Sequence, residues 1–138
     1  MSKNEVRTID NVLSKIDKLK QHKRKVELLE KEGDFVIKTV LQCCYTDAVD
    51  FKMPEGPPPY KPNENEVPIT DMIIKQLPKC LNFQEHQWAR ERKYTQLLEH
   101  VSEKDSLVFI AMKDKTLTDL YPSITRELVK EVFPKLIR

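Results

Sequence analysis

An all-α fold is predicted for this 138-residue chain by three features of its sequence. Apolar residues recur at spacings of three and four through most of its length. Capping side chains stand ahead of several of those runs. Strand-like alternation occurs only in one short run without a partner. The expected architecture is one helical domain over residues 1–138. It is a small bundle of about six or seven short helices, interrupted by a proline-rich extended arm at 54–68. Hydrophobic residues make up 39% and charged residues 33%. That is enough apolar material for a core at this size, and it argues against wholesale disorder.

The first helix is expected over 8–19. Ile9, Val12, Leu13, Ile16 and Leu19 share one face there, and Thr8 is the N-cap. A more polar helix follows over 24–32, with Val26, Leu28 and Leu29, and ends at Gly33, a natural terminator. Asp34 caps a third helix over 35–45, whose stripe is Ile37, Val40, Leu41 and Cys44. It is the most apolar of the three and belongs in the core. Val49 to Met53 alternates apolar and polar. Lacking a partner strand, it is expected as an extended segment lying across the helices.

Pro57-Pro58-Pro59-Tyr60 sits at the heart of the arm. Consecutive prolines fix φ and favour polyproline II, and each residue before a proline is driven out of the helical region. Beyond the arm, Thr70 caps a short helix over 71–77 that Pro78 is expected to close. Asn82 with Glu85 reads as a capping-box variant opening the longest helix, 83–100. Its stripe is Tyr94, Leu97, Leu98 and Val101, extended backward by Trp88 or Gln87. Ser102 with Asp105 opens a nearly all-apolar helix containing Leu107, Val108, Ile110, Ala111 and Met112, placed at the centre. Ser123 or Thr125 caps the last helix, with Leu128, Val129, Val132 and Phe133 on its stripe. Pro134 stops it, and residues 135–138 form a tail.

Composition narrows the function. Gly33 and Gly56 are the only glycines, so glycine-rich phosphate loops of the Walker or Rossmann type are excluded. The net charge is +2, and acids and bases are balanced in each third of the chain. Any pull on nucleic acid would come from a local patch. Cys43, Cys44 and Cys80 make an odd count, as expected of reduced intracellular thiols. Met1 to Glu5 has no signal-peptide pattern, and no apolar run reaches membrane-spanning length, so no membrane association is expected.

No catalytic constellation assembles. The adjacent Cys43 and Cys44 diverge on a helix and do not make a paired zinc spacing. His22, His86 and His100 accompany no nucleophile motif. No metal, cofactor or catalytic residue is expected. Two basic groups are candidates for phosphate contact: Lys18, Lys20, Lys23, Arg24 and Lys25, and the smaller set Arg90, Arg92 and Lys93 beside Trp88 and Tyr94. Both are also explained as solvated helix surface, and the two aromatics as core. The candidate protein-binding surface is the arm, through Pro57, Pro58, Pro59, Tyr60 and Lys61. A rigid ridge of this kind docks into aromatic grooves with little entropy left to lose. The alternative is that the arm packs on its own helices, with Tyr60 plugged into the core.

The block Phe51-Lys52-Met53-Pro54-Glu55-Gly56-Pro57-Pro58-Pro59-Tyr60-Lys61-Pro62-Asn63-Glu64 resembles the hallmark of an uncharacterised family of small tailed-bacteriophage proteins, common in T4-like phages and cyanophages. Gln96 to Val101 leading to Ala111 to Leu117 resembles a second block of that family, and Thr125 to Pro134 resembles its C-terminal helix. The stretch 69–82 departs from the common pattern. The resemblance implies a phage protein working in the cytoplasm of an infected bacterium, or carried in the virion, and brings no activity or site residues. The expectation is a non-enzymatic accessory protein that binds a phage or host protein of the replication, transcription or counter-defence machinery. The alternatives are a virion or assembly component docking a neighbouring subunit, and a nucleic-acid-binding accessory using the lysine and arginine patch.

Overall fold

The computed structural model describes residues 6–137. The N-terminal residues read above for a targeting pattern, and Arg138, lie outside that range. Three helices come first: α1 (Ile9–Lys18), α2 (His22–Glu32) and α3 (Phe35–Tyr45). Thr8 and Asp34 cap α1 and α3 as expected, accepting the Asn11 and Ile37 amides at 3.1 Å each. On α1 the buried set is Ile9, Val12, Leu13 and Ile16. On α2 only Leu29 is fully buried, which fits its field of charge.

Gly33 ends α2, though not through the left-handed conformation that usually favours glycine there. Its φ is −77°. The reason for glycine is space: a Cβ at this position would lie 2.3 Å from Phe133 Cζ and 2.8 Å from the Leu29 carbonyl oxygen.

After α3 the chain runs without a helix until α4 (Asp71–Ile74) and α5 (Leu77–Cys80), both single turns. Pro78 does not close a helix, as the sequence suggested. It stands in the first turn of α5, where its missing N–H would have had no partner. Next comes α6 (Gln87–His100), the longest helix. It starts four residues later than expected. Asn82 Oδ1 accepts the Gln84 amide at 3.2 Å, so its side chain closes a local Asx turn instead of capping a helix.

The chain then forms α7 (Glu103–Asp114), α8 (Leu117–Leu120), a single turn the sequence reading left out, and α9 (Arg126–Val132). Thr125 caps α9 through the Leu128 amide at 3.2 Å. Among the described residues there is no strand, and Asn63 opposite Ser102 is an isolated bridge.

Helix α7 is central. Val108, Phe109 and Met112 have no exposed surface, and the helix packs against α1, α3, α6 and α8. Residues of the first three helices and of the C-terminal group thus share one core. Polar ties reinforce the union. Asp105 of α7 accepts the Ile9 and Asp10 amides at 3.1 and 2.8 Å, capping α1 from another helix. Asp17 of α1 accepts the Ser123 amide at 2.9 Å. The expected tail is no loose end. Ile137 is buried, and the Leu136 carbonyl accepts from Gln42 at 3.2 Å.

Candidate partner-binding face

The arm is strapped along α6 and α7 by its backbone. Phe51 anchors its start with 1% of its surface exposed, a burial worth about 1.5–3 kcal/mol. The Phe51 carbonyl accepts from Arg90 Nη1 at 2.8 Å. Lys113 Nζ donates to the Pro54 and Gly56 carbonyls at 2.8 and 3.1 Å. Asp114, paired with Lys113, accepts the Gly56 amide at 2.9 Å. This buried ion pair is therefore satisfied by the turn it grips. Gly56 has φ +87°, a region that costs other residues about 1–2 kcal/mol.

Further along, the Tyr60 hydroxyl is 2.9 Å from Ser106 Oγ. The Lys61 amide donates to Glu99 at 2.7 Å, and Ser102 Oγ bonds both the amide and the carbonyl of Val67.

These bonds hold one edge of the arm against its own helices and leave the other in solvent. Pro57, Pro59 and Lys61 are exposed, while Pro58 and Tyr60 are half-buried. Tyr60 is thus partly a structural residue. Beneath the prolines is a small cavity of about 170 Å³, walled by Met53, Pro54, Pro58, Glu91, Tyr94 and Lys113.

Next to it stand two aromatic residues that the sequence reading did not place at the surface. Trp88 is 64% exposed and Phe83 is 48% exposed. Phe83 is held between two cations, with Lys52 Nζ and Arg90 Cζ each 4.8 Å from its ring centre. Such contacts fix an exposed ring by about 0.5–1 kcal/mol each. Trp88 lies one turn before Glu91 on α6, so the indole and the cavity wall share a helix face. The buried stripe of α6 is Arg90, Tyr94, Leu97 and Leu98. Four residues back from Tyr94 is Arg90, and Trp88 falls outside that stripe. The helical phase alone was the signal that would have exposed it.

The two basic groups fare differently. Arg90 is only 6% exposed, because it carries the Phe51 and Phe83 contacts, so it is withdrawn from phosphate. Lys93 is half-buried and paired with Glu85. Arg92 remains exposed. In the other group, Lys18, Lys20, Lys23 and Arg24 are exposed. Lys25 turns inward: it donates to the Asp17 carbonyl and to Ser123 Oγ at 3.1 Å each, and to the Leu19 carbonyl.

The thiols are poor nucleophiles in this setting. Burial pushes Cys43 and Cys80 up to about 11, partly offset by nearby lysine and arginine charges. Cys44 is raised further by burial and by its neighbour Cys43. Among the described residues no group of three or more His, Cys, Asp or Glu is placed to hold a metal ion. No helix among them is long and apolar enough to cross a membrane.

A family of unknown function (DUF6433) matches residues 12–119, well over half of the chain. The chain belongs to this family. The matched span takes in the whole arm, Trp88, Glu91 and the Lys113–Asp114 clamp, and stops short of α9. No curated protein matches the chain. This DUF6433 member therefore gains no activity or site residues from its relatives, and its surface chemistry has to carry the functional reading.

Proposed function

We propose that the chain is a non-enzymatic interaction protein. It binds another protein through the face made by the exposed edge of the arm, the cavity beneath it and the Phe83–Trp88 aromatics. The observation that carries this reading is Trp88, 64% exposed beside a cavity walled by prolines. Tryptophan and tyrosine dominate the energetics of protein interfaces, and here the backbone that would support such a contact is already fixed by the Lys113–Asp114 clamp. A pre-organised surface loses little entropy on binding. The resemblance of the proline block to phage proteins supports a setting inside an infected bacterium, with a phage or host protein as partner. A structural neighbour in a virion would use the same face.

The test is affinity capture from infected cells with nuclease treatment, comparing the wild type with Trp88→Ala. Exposure of Trp88 means the variant keeps its helical circular dichroism. The expected result is a stoichiometric protein partner that survives nuclease and is lost with the indole. Equal capture by both forms overturns the reading.

A second reading rests on Lys18, Lys20, Lys23 and Arg24, which stand exposed around the α1–α2 corner. The first turn of α2 carries no acid to neutralise them. This patch supports contact with a nucleic-acid backbone. Such binding falls steeply with salt and is abolished by Lys23→Glu with Arg24→Glu.

A further inference from the structure

A second groove runs between α6 and the α4–α5 turns. Its volume is about 460 Å³, with Ile73 and Leu97 among its apolar walls. Met72 is on its rim and 74% exposed. The ionisable side chains that line it are Lys79, Lys93 and His100, and no Asp or Glu does. Lys93 already has Glu85. Lys79 is exposed, and its ammonium has no ion-pair partner among the described residues.

The groove is separate from the arm face. At about 100° per residue, Lys93, Leu97 and His100 project from one side of α6, and Trp88 and Glu91 from nearly the opposite side. The buried stripe through Tyr94 lies between them.

We propose that this groove docks a short amphipathic segment of a partner protein. Its apolar residues would sit on Ile73, Leu97 and Met72, and its Asp or Glu side chains would meet Lys79 and Lys93. Charge decides the occupant. A carboxylate arriving at the rim pairs with a lysine that otherwise faces only water, whereas a basic segment meets like charge. A second copy docked about a two-fold axis would present the same surface to itself and bring lysine toward lysine. An unbranched methionine on the rim can adapt to differing apolar partners, and a groove of this kind accepts a helix by its i, i+3 and i+4 residues. The proposal stands independently of the arm face, because it uses none of that face's residues.

The test is selection from a displayed library of random peptides on the full chain, followed by titration with the synthesised winners. Expected sequences combine Leu, Ile or Phe at helical spacing with flanking Asp or Glu. Binding should weaken about three- to tenfold with Lys79→Glu and comparably with Met72→Asp, and stay unchanged with Trp88→Ala. Amide chemical-shift changes should centre on α4, α5 and the second half of α6. Both altered positions are exposed, so unchanged circular dichroism certifies the variants as folded. Four results would overturn the proposal: no enriched sequence, enrichment of basic peptides, indifference to Lys79→Glu, or shifts centred on the arm. Concentration-dependent self-association abolished by Met72→Asp would do the same by assigning the groove to a second copy.

Discussion

Asp105 has no exposed surface, yet its carboxylate caps a helix it does not belong to. Burial pushes its pKa up to about 6, against the lowering effect of the Asp10 and Ile9 amides it accepts. A carboxyl that is easier to protonate when folded adds stability fully below its unfolded pKa, and loses it as pH rises through the folded one. The stability of the wild type relative to Asp105→Asn should therefore fall by about 1–3 kcal/mol between about pH 4 and pH 6. Urea unfolding at a series of pH values measures it, and a flat difference would refute this account of the site.

Gly33 supplies a prediction of another kind. A methyl there collides with Phe133 and with the Leu29 carbonyl, so Gly33→Ala should cost about 1–3 kcal/mol in urea unfolding, as overpacking does. Shrinking the ring with Phe133→Leu should recover part of that loss in a double-mutant cycle. No positive φ is involved, so relief must come from the partner side chain.

At the scale of elements, the arm behaves as a fixed part of the fold through one ion pair. Lys113 and Asp114 are almost wholly enclosed, with side-chain exposures of 3% and 11%. Replacing Lys113 by Met leaves Asp114 without its cation, and removing one partner of a buried pair costs about 3–5 kcal/mol. Hydrogen exchange should locate the damage. Protection of the Gly56 amide should disappear, while amides within α3 keep theirs until global unfolding.

The helices themselves were largely legible in the sequence. Thr8, Asp34 and Thr125 mark true starts because a cap is a local interaction, completed within three residues. Asn82 misled because the same side chain satisfies an amide two residues on as readily as one three residues on. Pro78 misled because proline is compatible with a first helical turn. The candidate face was half legible. The prolines announce an extended arm, but nothing local shows which edge faces solvent. Tyr60 depends on Ser106, Lys61 on Glu99 and Gly56 on Asp114, all far along the chain. Arg90 read as a surface cation, since its burial depends on Phe51 and Phe83 arriving from elsewhere. Trp88 read as core because large aromatics usually are.

Across the whole molecule, three kinds of surface surround one core centred on α7. They are the arm with the Phe83–Trp88 aromatics, the basic-rimmed groove between α4, α5 and α6, and the cationic corner between α1 and α2. A chain whose acids and bases nearly cancel relies on such local features for recognition. The central claim is that the first surface meets protein. The direct measurement is photo-crosslinking in infected cells, with a benzophenone amino acid at position 88 and, separately, at position 23. The account predicts a discrete protein adduct from position 88 that persists after nuclease. It is contradicted if position 88 yields no protein adduct while position 23 yields nucleic acid, which would give the chain's work to the α1–α2 corner and leave the arm as scaffold.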